Sequence, residues 1–132
     1  MEGPRDRFDN IGAIDYRYWD EEVAWYLSEN GFTRYKLMME IALIMVLHRR
    51  GVCSELVVRE VVIACHQVTT AEVYEEEARI RHDIRALVNC ICARVSDEAR
   101  PYVHMTATSF DIIDSANAAR YKDVIREVVI PA

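Results

Sequence analysis

A stripe of apolar side chains recurs with the i, i+3, i+4, i+7 spacing of one helix face between residues 73 and 95. Its members are Val73, Ile80, Ile84, Leu87, Val88, Ile91 and Val95. Thr70 offers an N-cap in front of the stripe, so the sequence predicts one long helix over about residues 71–95. At about 100° per residue, His82 lies on the opposite face of this helix. That position directs His82 to solvent, to a partner or to a site.

The other long segments also have helical periodicity, and the alternating β-branched pattern of strands is scarce. Four further helices are predicted, each with a cap. Asp20 caps a helix to about Glu29 that ends at Asn30-Gly31, and Thr33 caps a helix over 34–49. Ser54 caps a helix over 55–66, and the last helix starts at Thr108 or Ser109 and reaches the chain end. Residues 1–18 are expected to be irregular, and residues 102–105 to be extended. The sequence therefore predicts an all-α fold.

Composition and charge exclude several classes of protein. The 132 residues are 52% hydrophobic and carry a net charge of −6, which favours a packed core and argues against a surface that coats nucleic acid. The longest apolar run, residues 37–47, is short and contains Glu40, whereas a membrane-spanning helix needs about 20 residues. The charged N-terminus MEGPRDRFDN does not resemble a signal peptide. We therefore expect a cytoplasmic protein that binds neither nucleic acid nor membrane.

The cysteines do not form a metal-binding pattern. Cys53, Cys65, Cys90 and Cys92 contain no C-x-x-C pair, and Cys90 and Cys92 lie on nearly opposite faces of a helix. All four are surrounded by aliphatic residues. We expect free, buried thiols in a reducing compartment and no metal site.

Residues 108–111, TSFD, match the [ST]-x-x-[DE] capping pattern at the start of the last helix. In a structural interpretation, Thr108 accepts a hydrogen bond from a first-turn N–H, and Asp111 lies where the helix dipole favours negative charge. In a functional interpretation, the free N–H groups and hydroxyls of this helix start bind a carboxylate or a phosphate. The residues alone leave both interpretations open.

Three further polar segments leave the same choice open. His104, just upstream of the capping pattern, is structural, exposed or part of a site. His82-Asp83 belongs either to a solvated face with ion pairs or to a site. Arg17-Tyr18, in the irregular start, is an ordinary exposed pair unless a ligand binds there.

Three segments together resemble one enzyme superfamily. HMTATSFDIIDSA, residues 104–116, resembles the H-x-G-A-T-S-x-D-x-x-D-[TS]-A segment of the fumarase/aspartase superfamily. EEARIRHDIRALV, residues 76–88, resembles the E-x-x-x-R-H-D-[VI] segment of its adenylosuccinate lyase branch. IDYRYW, residues 14–19, is similar to the Arg-Tyr near the start of those enzymes. Argininosuccinate lyases usually carry an Asn-Asp-Gln-type sequence where this chain has RHD.

The resemblance implies a role for each matching residue. Arg17 and Tyr18 would contact the phosphate of the AMP moiety. His82 and Asp83 would help to hold the nucleotide, with His82 near the reacting part. His104 would lie beside them as a binding or charge-positioning group. His82 and His104 are thus the catalytic candidates, and the others bind substrate.

At the last helix the resemblance implies a carboxylate site. Thr108 and Ser109 would hold a succinyl carboxylate, and Asp111 would support that loop or bind substrate. One position departs from the pattern, because Thr106 stands where the superfamily has glycine. Glycine permits a close backbone approach or a positive φ, so we expect Thr106 to distort the turn or to change which substrate fits.

The resemblance also implies an N-terminal fragment, because superfamily members are far longer. Residues 1–108 would form an N-terminal helical domain, and residues 109–132 would begin the central long-helix bundle that builds a homotetramer. Each active site would combine segments of three subunits. The general-acid histidine and the mobile loop with the serine base would lie outside this chain, so the fragment alone is expected to be inactive.

The implied reaction is β-elimination of fumarate from adenylosuccinate, which gives AMP, and from the succinylated carboxamide ribotide of purine biosynthesis. It needs no metal ion or organic cofactor. Two alternatives stay open. Another lyase or cycloisomerase of the superfamily would hold no phosphate at Arg17, and a non-catalytic helical interaction domain would use the apolar residues 124–132 as its partner surface.

Overall fold

Helices form the whole regular structure of the described part of the chain. The structure, a computed structural model, describes residues 5–132 and contains no strand in this range. This confirms the predicted all-α class. The helices are α1 (Asp15–Tyr18), α2 (Glu21–Leu27), α3 (Glu29–Arg49), α4 (Glu55–Gln67), α5 (Thr70–Ile80), α6 (Asp83–Cys92) and α7 (Ser109–Val124). Short 3-10 helices lie at Arg7–Asp9 and Arg100–Tyr102, and a π-helical segment, Ile125–Val129, continues α7.

The prediction of an irregular start is wrong in part, because Arg7–Asp9 and Asp15–Tyr18 form short helices while residues 10–14 between them are irregular. Two aspartates organise this segment by accepting main-chain hydrogen bonds. The Asp6 carboxylate caps the first 3-10 helix by accepting the Phe8 N–H at 3.3 Å. The Asp15 carboxylate accepts the N–H groups of Ile11 and Gly12 at 2.6 and 2.9 Å. This second pair of bonds closes the loop in front of α1.

The predicted helix end at Asn30-Gly31 is also wrong. Ser28 separates α2 from α3, and its hydroxyl accepts the Gly31 N–H at 3.1 Å. Gly31 therefore lies in the first turn of α3. A Cβ atom there would lie 2.7 Å from the Tyr26 carbonyl oxygen, so close packing and not a helix stop requires this glycine. Thr33, the predicted cap, is buried inside α3.

The predicted long helix over residues 71–95 is two helices. Arg81 adopts a left-handed φ of 61° and ends α5, and His82 is the N-cap of α6. Non-glycine residues rarely take this conformation, so the sequence carries no marker of the break. The apolar stripe still builds the core on both sides of it, with buried side chains at Val73, Ile84, Leu87, Val88, Ile91 and Val95.

The segment between α6 and α7 is not extended as predicted. It contains the 3-10 helix Arg100–Tyr102 and then a turn in which His104 and Thr106 both have positive φ, at 58° and 69°. Val103 points into the core and is buried. The two left-handed residues therefore turn the chain where an extended segment was predicted.

Helix α3 is the central element of the fold. It packs against α2, α4, α5 and α7. Ile44 and Leu47 lie in the core, whereas Met38 and Met45 lie on an exposed face. The Tyr35 hydroxyl donates a 2.7 Å hydrogen bond to the Asp123 carboxylate and ties α3 to α7. The central helix is therefore covered on most but not all of its faces.

The cysteines have the predicted environment. Cys53, Cys65 and Cys90 are buried, Cys92 is half-buried, and all are free thiols. Burial raises the pKa of the Cys65 thiol to about 12, so this sulfur stays protonated at neutral pH. Across residues 5–132, no helix has the combination of length and apolarity that spanning a bilayer requires.

Candidate functional site

A groove lies where the start of α6 meets the turn before α7 and the first residue of α7. Its volume is about 370 Å³. The lining residues are His82, Ile84, Arg85, Val88, His104, Ala107, Thr108 and Ser109. Four of the eight residues that the sequence analysis selected, two histidines and two hydroxyl residues, therefore line one groove. They come from segments about 20 residues apart in the chain.

His82 is held in place by the helix that it caps. Its Nδ1 accepts the main-chain N–H of Arg85 at 3.1 Å, and its side chain is 52% exposed. The imidazole therefore lies outside the core, as its position off the apolar stripe predicts. Because Nδ1 is used by the cap, Nε2 is the nitrogen left for a ligand. The neighbouring Asp83 has a carboxylate oxygen 3.6 Å from Nδ1.

His104 is fixed from the opposite side of the groove by a buried carboxylate. Its Nδ1 lies 2.6 Å from Oε1 of Glu40, a residue of α3 that is only 2% exposed. The His104 side chain itself is 17% exposed. Burial raises the pKa of Glu40, and the hydrogen bond to His104 opposes that rise. One ring nitrogen of His104 is thus held by a buried carboxylate, and the residue also lines the groove.

Thr106 occupies the position where the superfamily pattern has glycine, and the structure shows why glycine suits it. The residue has a φ of 69°, in the left-handed region. Its hydroxyl donates to the Met105 carbonyl at 2.6 Å, and the side chain points to solvent. The turn therefore keeps the backbone that glycine favours, at the expense of strain in a β-branched residue.

The start of α7 supplies the remaining groups of the groove. Thr108 is the N-cap, and its main-chain N–H donates to the Asp111 carboxylate at 2.8 Å. This main-chain bond to the Asp111 carboxylate closes the turn at the start of the helix. Ser109, the first residue of α7, lines the groove beside main-chain N–H groups that a helix leaves free. This corner is suited to a carboxylate or a phosphate.

Arg17 and Tyr18 do not lie in this groove. Both are in α1 and exposed, and Tyr18 is 69% exposed. The Arg17 guanidinium lies 5.8 Å from the centre of the Tyr16 ring. Within one copy of the described chain, these two predicted site residues are therefore separate from the other candidates.

Two lining or supporting residues were missed by the sequence analysis. Glu40 is the one charged residue in the apolar run 37–47, and this isolated charge could have marked it as a functional residue. Arg85 lines the groove three residues after His82, and no ion pair of Arg85 is found within residues 5–132. It adds a positive charge to a site that would hold an anion.

A larger cavity of about 640 Å³ lies between the start of α3 and the junction of α4 and α5. It contains none of the eight residues selected from the sequence. The guanidinium of Arg34, its main cation, donates to the Trp25 carbonyl and lies over the Trp25 ring. Because this cation already has partners, the smaller groove is the better candidate for substrate chemistry.

The chain is similar to curated adenylosuccinate lyases of several archaea. It is 37% identical to that of Archaeoglobus fulgidus over 116 residues, which is 88% of this chain. It is 38% identical to that of Pyrococcus abyssi over 115 residues and 36% identical to that of Pyrococcus horikoshii over 120 residues. No protein-family profile and no solved structure matches the chain.

These matches cover 86 to 89% of this chain but only 25 to 26% of each relative. The chain thus spans about a quarter of the length of the curated relatives that it matches. The matched part of the chain includes most of its sequence, and every relative compared carries the same name. Over most of its length, the chain is therefore similar to about a quarter of each of these adenylosuccinate lyases.

Proposed function

We propose that this chain supplies the substrate-fixing part of an adenylosuccinate lyase. The parent enzyme would cleave adenylosuccinate to AMP and fumarate, and would act in the same way on the succinylated carboxamide ribotide of purine biosynthesis. One observation carries the proposal: His82, His104, Thr108 and Ser109 line a single groove in a chain that matches this family. The net charge of −6 and the free thiols support a cytoplasmic enzyme that does not bind nucleic acid.

The reaction explains why such a groove is needed. A base removes a proton from the carbon next to a carboxylate, the bond from the neighbouring carbon to the purine nitrogen breaks, and that nitrogen takes a proton from an acid. The new carbon–carbon double bond gives fumarate. Negative charge accumulates on the carboxylate as the proton leaves, so fixed donors at that carboxylate lower the barrier. No metal ion or organic cofactor takes part in this proposal.

The groove offers donors of this kind. Ser109, Thr108 and the first N–H groups of α7 would hold the succinyl carboxylate. His82 and His104 would lie beside the reacting atoms from two sides, and Arg85 would supply a positive charge. Asp83 would help to hold the nucleotide, and Asp111 would keep the turn in shape. These groups orient the substrate, and the base and the acid of the reaction would lie in the remainder of the parent enzyme.

We place the phosphate contact of Arg17 and Tyr18 in a second copy of the chain. Both residues are exposed and outside the groove, which fits a site shared between subunits of a homotetramer. An exposed apolar face at the end of the chain supports such an assembly. Ile125, Val129 and Ile130 there are 48, 59 and 72% exposed. In this proposal residues 109–132 begin the central bundle, and the other helices of that bundle cover this face.

The first test uses the product of the complete reading frame that contains this sequence. We expect it to convert adenylosuccinate, followed by the ultraviolet change as AMP and fumarate form, and to leave argininosuccinate unchanged. The 132-residue chain alone is expected to give no turnover. A folded complete product that is silent with adenylosuccinate would overturn the proposal.

A matched pair of variants then tests the groove. Ser109→Ala removes one donor from the carboxylate site, and we expect kcat/KM to fall by about 10²–10³-fold. Ser115→Ala removes an exposed hydroxyl from the same helix, outside the groove, and is expected to leave kcat/KM unchanged. Equal activity of the two variants would remove Ser109 from the site.

A further inference from the structure

Glu40 is a carboxylate in a place where a carboxylate is costly. It lies on the central helix α3, is 2% exposed, and interrupts an apolar run. Its Oε2 atom has no hydrogen-bond partner within residues 5–132. Burying a charged or unpartnered polar group costs several kcal/mol unless its interactions compensate. A leucine or methionine would fill this position without that cost, so the carboxylate itself requires an explanation.

The one side-chain partner of Glu40 in the described chain is His104. Oε1 lies 2.6 Å from His104 Nδ1, and the two residues are 64 positions apart. The contact joins the core helix to the turn that forms one wall of the groove. His104 also holds a positive φ of 58°, a conformation that persists only where the surroundings enforce it. The side chain is therefore fixed at its backbone and at one ring nitrogen.

The two nitrogens of an imidazole are not equivalent once one of them is bonded. Which nitrogen carries the proton in the neutral ring is set by the partner of the other. With Nδ1 held by Glu40, Nε2 is the nitrogen of His104 that is available to the groove. Histidines that bind metals are oriented by carboxylates in the same manner, and loss of such partners lowers function by about 10–100-fold.

We propose that Glu40 is a positioning residue for His104: its carboxylate accepts the Nδ1–H, fixes the ring plane and tautomer, and leaves Nε2 facing the substrate groove. Glu40 does not touch the substrate in this arrangement. Nε2 of His104, which carries no proton in this tautomer, accepts a hydrogen bond from the substrate. The effect of Glu40 on catalysis rests on the proposed function. The tautomer of His104 does not, because it is a property of the chain itself.

The tautomer is tested first, by nitrogen NMR of the 132-residue chain labelled in histidine. We expect neutral His104 to carry its proton on Nδ1. In Glu40→Met this preference is expected to disappear in favour of the Nε2–H form that free imidazoles prefer. Glu40→Gln retains the shape of the side chain, and its amide oxygen can still accept the Nδ1–H. It is the variant to measure if Glu40→Met does not fold. A wild-type His104 with its proton on Nε2 overturns the proposal.

The kinetic test uses the complete reading-frame product. We expect Glu40→Met to lower kcat by about 10–100-fold with KM within a few fold of wild type, and Glu40→Gln to restore part of that loss. Glu60→Gln is the matched control, since the Glu60 carboxylate accepts the Ser96 N–H at 2.8 Å away from the groove. Its kcat is expected to stay unchanged.

The outcomes separate the two proposals. A wild-type product without any lyase activity contradicts the proposed function, while the NMR result still decides the role of Glu40 toward His104. An active product in which Glu40→Met keeps its kcat contradicts the positioning role and leaves the proposed function standing. A loss of kcat that Glu60→Gln shares would also count against the positioning role, because it would reflect general destabilisation.

Discussion

Nδ1 of His82 accepts the main-chain N–H of Arg85 at 3.1 Å, so a residue selected as a catalytic candidate also caps helix α6. The two roles use different atoms of one ring. The cap needs an acceptor at Nδ1 in the first turn, where a helix leaves its N–H groups free. The proposed site needs Nε2. A simple alanine substitution would remove both roles, and its effect on activity could not be assigned to either one.

A pair of variants separates these roles. Asparagine is among the best N-cap residues, whereas alanine is among the poor ones. We expect His82→Ala to lower the free energy of unfolding of the chain by about 1 kcal/mol, and His82→Asn to stay within a few tenths of wild type. Urea unfolding followed by circular dichroism measures both. In the complete reading-frame product, both variants are expected to lose about 10²-fold or more in kcat/KM.

The asparagine variant decides the outcome. Its cap is intact and its imidazole is gone, so a loss of activity there reflects the site. If His82→Asn retained the wild-type kcat/KM, His82 would be a capping residue only, and the ion-pair or surface interpretation of this segment would be correct.

The sequence was sufficient for the fold class and for the core, because both depend on apolar periodicity. Six of the seven stripe residues, Val73 among them, are buried. The boundaries were predicted less well. The break at Arg81 is made by a non-glycine residue in the left-handed region, and Gly31 is required by a contact with the Tyr26 carbonyl. Neither cause is visible in local sequence.

The candidate site was predicted in part for a related reason. The family resemblance selected His82, His104, Thr108 and Ser109, which do line one groove. The partner of His104 is 64 residues away on a different helix, and only the tertiary structure reveals that contact. Arg17 and Tyr18 were selected by resemblance, and one copy of the chain does not bring them to the groove. Their role depends on an assembly that a single sequence does not describe.

Thr106 provides a prediction about stability. Its φ of 69° is one that glycine adopts freely and a β-branched residue does not. A left-handed conformation costs a non-glycine residue about 1–2 kcal/mol, and glycine loses part of this advantage through the entropy of the unfolded chain. We therefore expect Thr106→Gly to raise the free energy of unfolding by about 1 kcal/mol, measured by urea unfolding with an unchanged m-value.

The adjacent residue is the control for this change. Ala107 has no positive φ, and its methyl group packs against the core. Ala107→Gly therefore adds unfolded-chain entropy and removes that packing, and it is expected to lower the stability by about 1 kcal/mol. The two glycine variants should therefore shift the midpoint in opposite directions. The prediction fails if Thr106→Gly is no more stable than wild type. In that case the turn, or the hydrogen bond from the Thr106 hydroxyl to Met105, would offset the backbone strain.

Glu40 predicts a dependence of stability on pH. Burial raises its pKa in the folded chain above the value of 4.5 expected when unfolded, in spite of the opposing bond to His104. The folded state then binds the proton more tightly, so this group lowers stability as the pH rises from about 4.5 through the raised folded pKa. Glu40→Gln removes the ionisation. Its stability relative to wild type should therefore increase over that window and become constant above it.

Urea midpoints measured at intervals from pH 4 to pH 8 test this expectation, with Glu75→Gln at an exposed position of α5 as the control that should run parallel to wild type. Together with the expected loss of kcat, a more stable Glu40→Gln would show a carboxylate kept for function at a cost in stability. If the relative stability of Glu40→Gln instead fell as the pH rose, the ionised pair of Glu40 with His104 would be net stabilising. Burial would then not be the dominant influence on this carboxyl group.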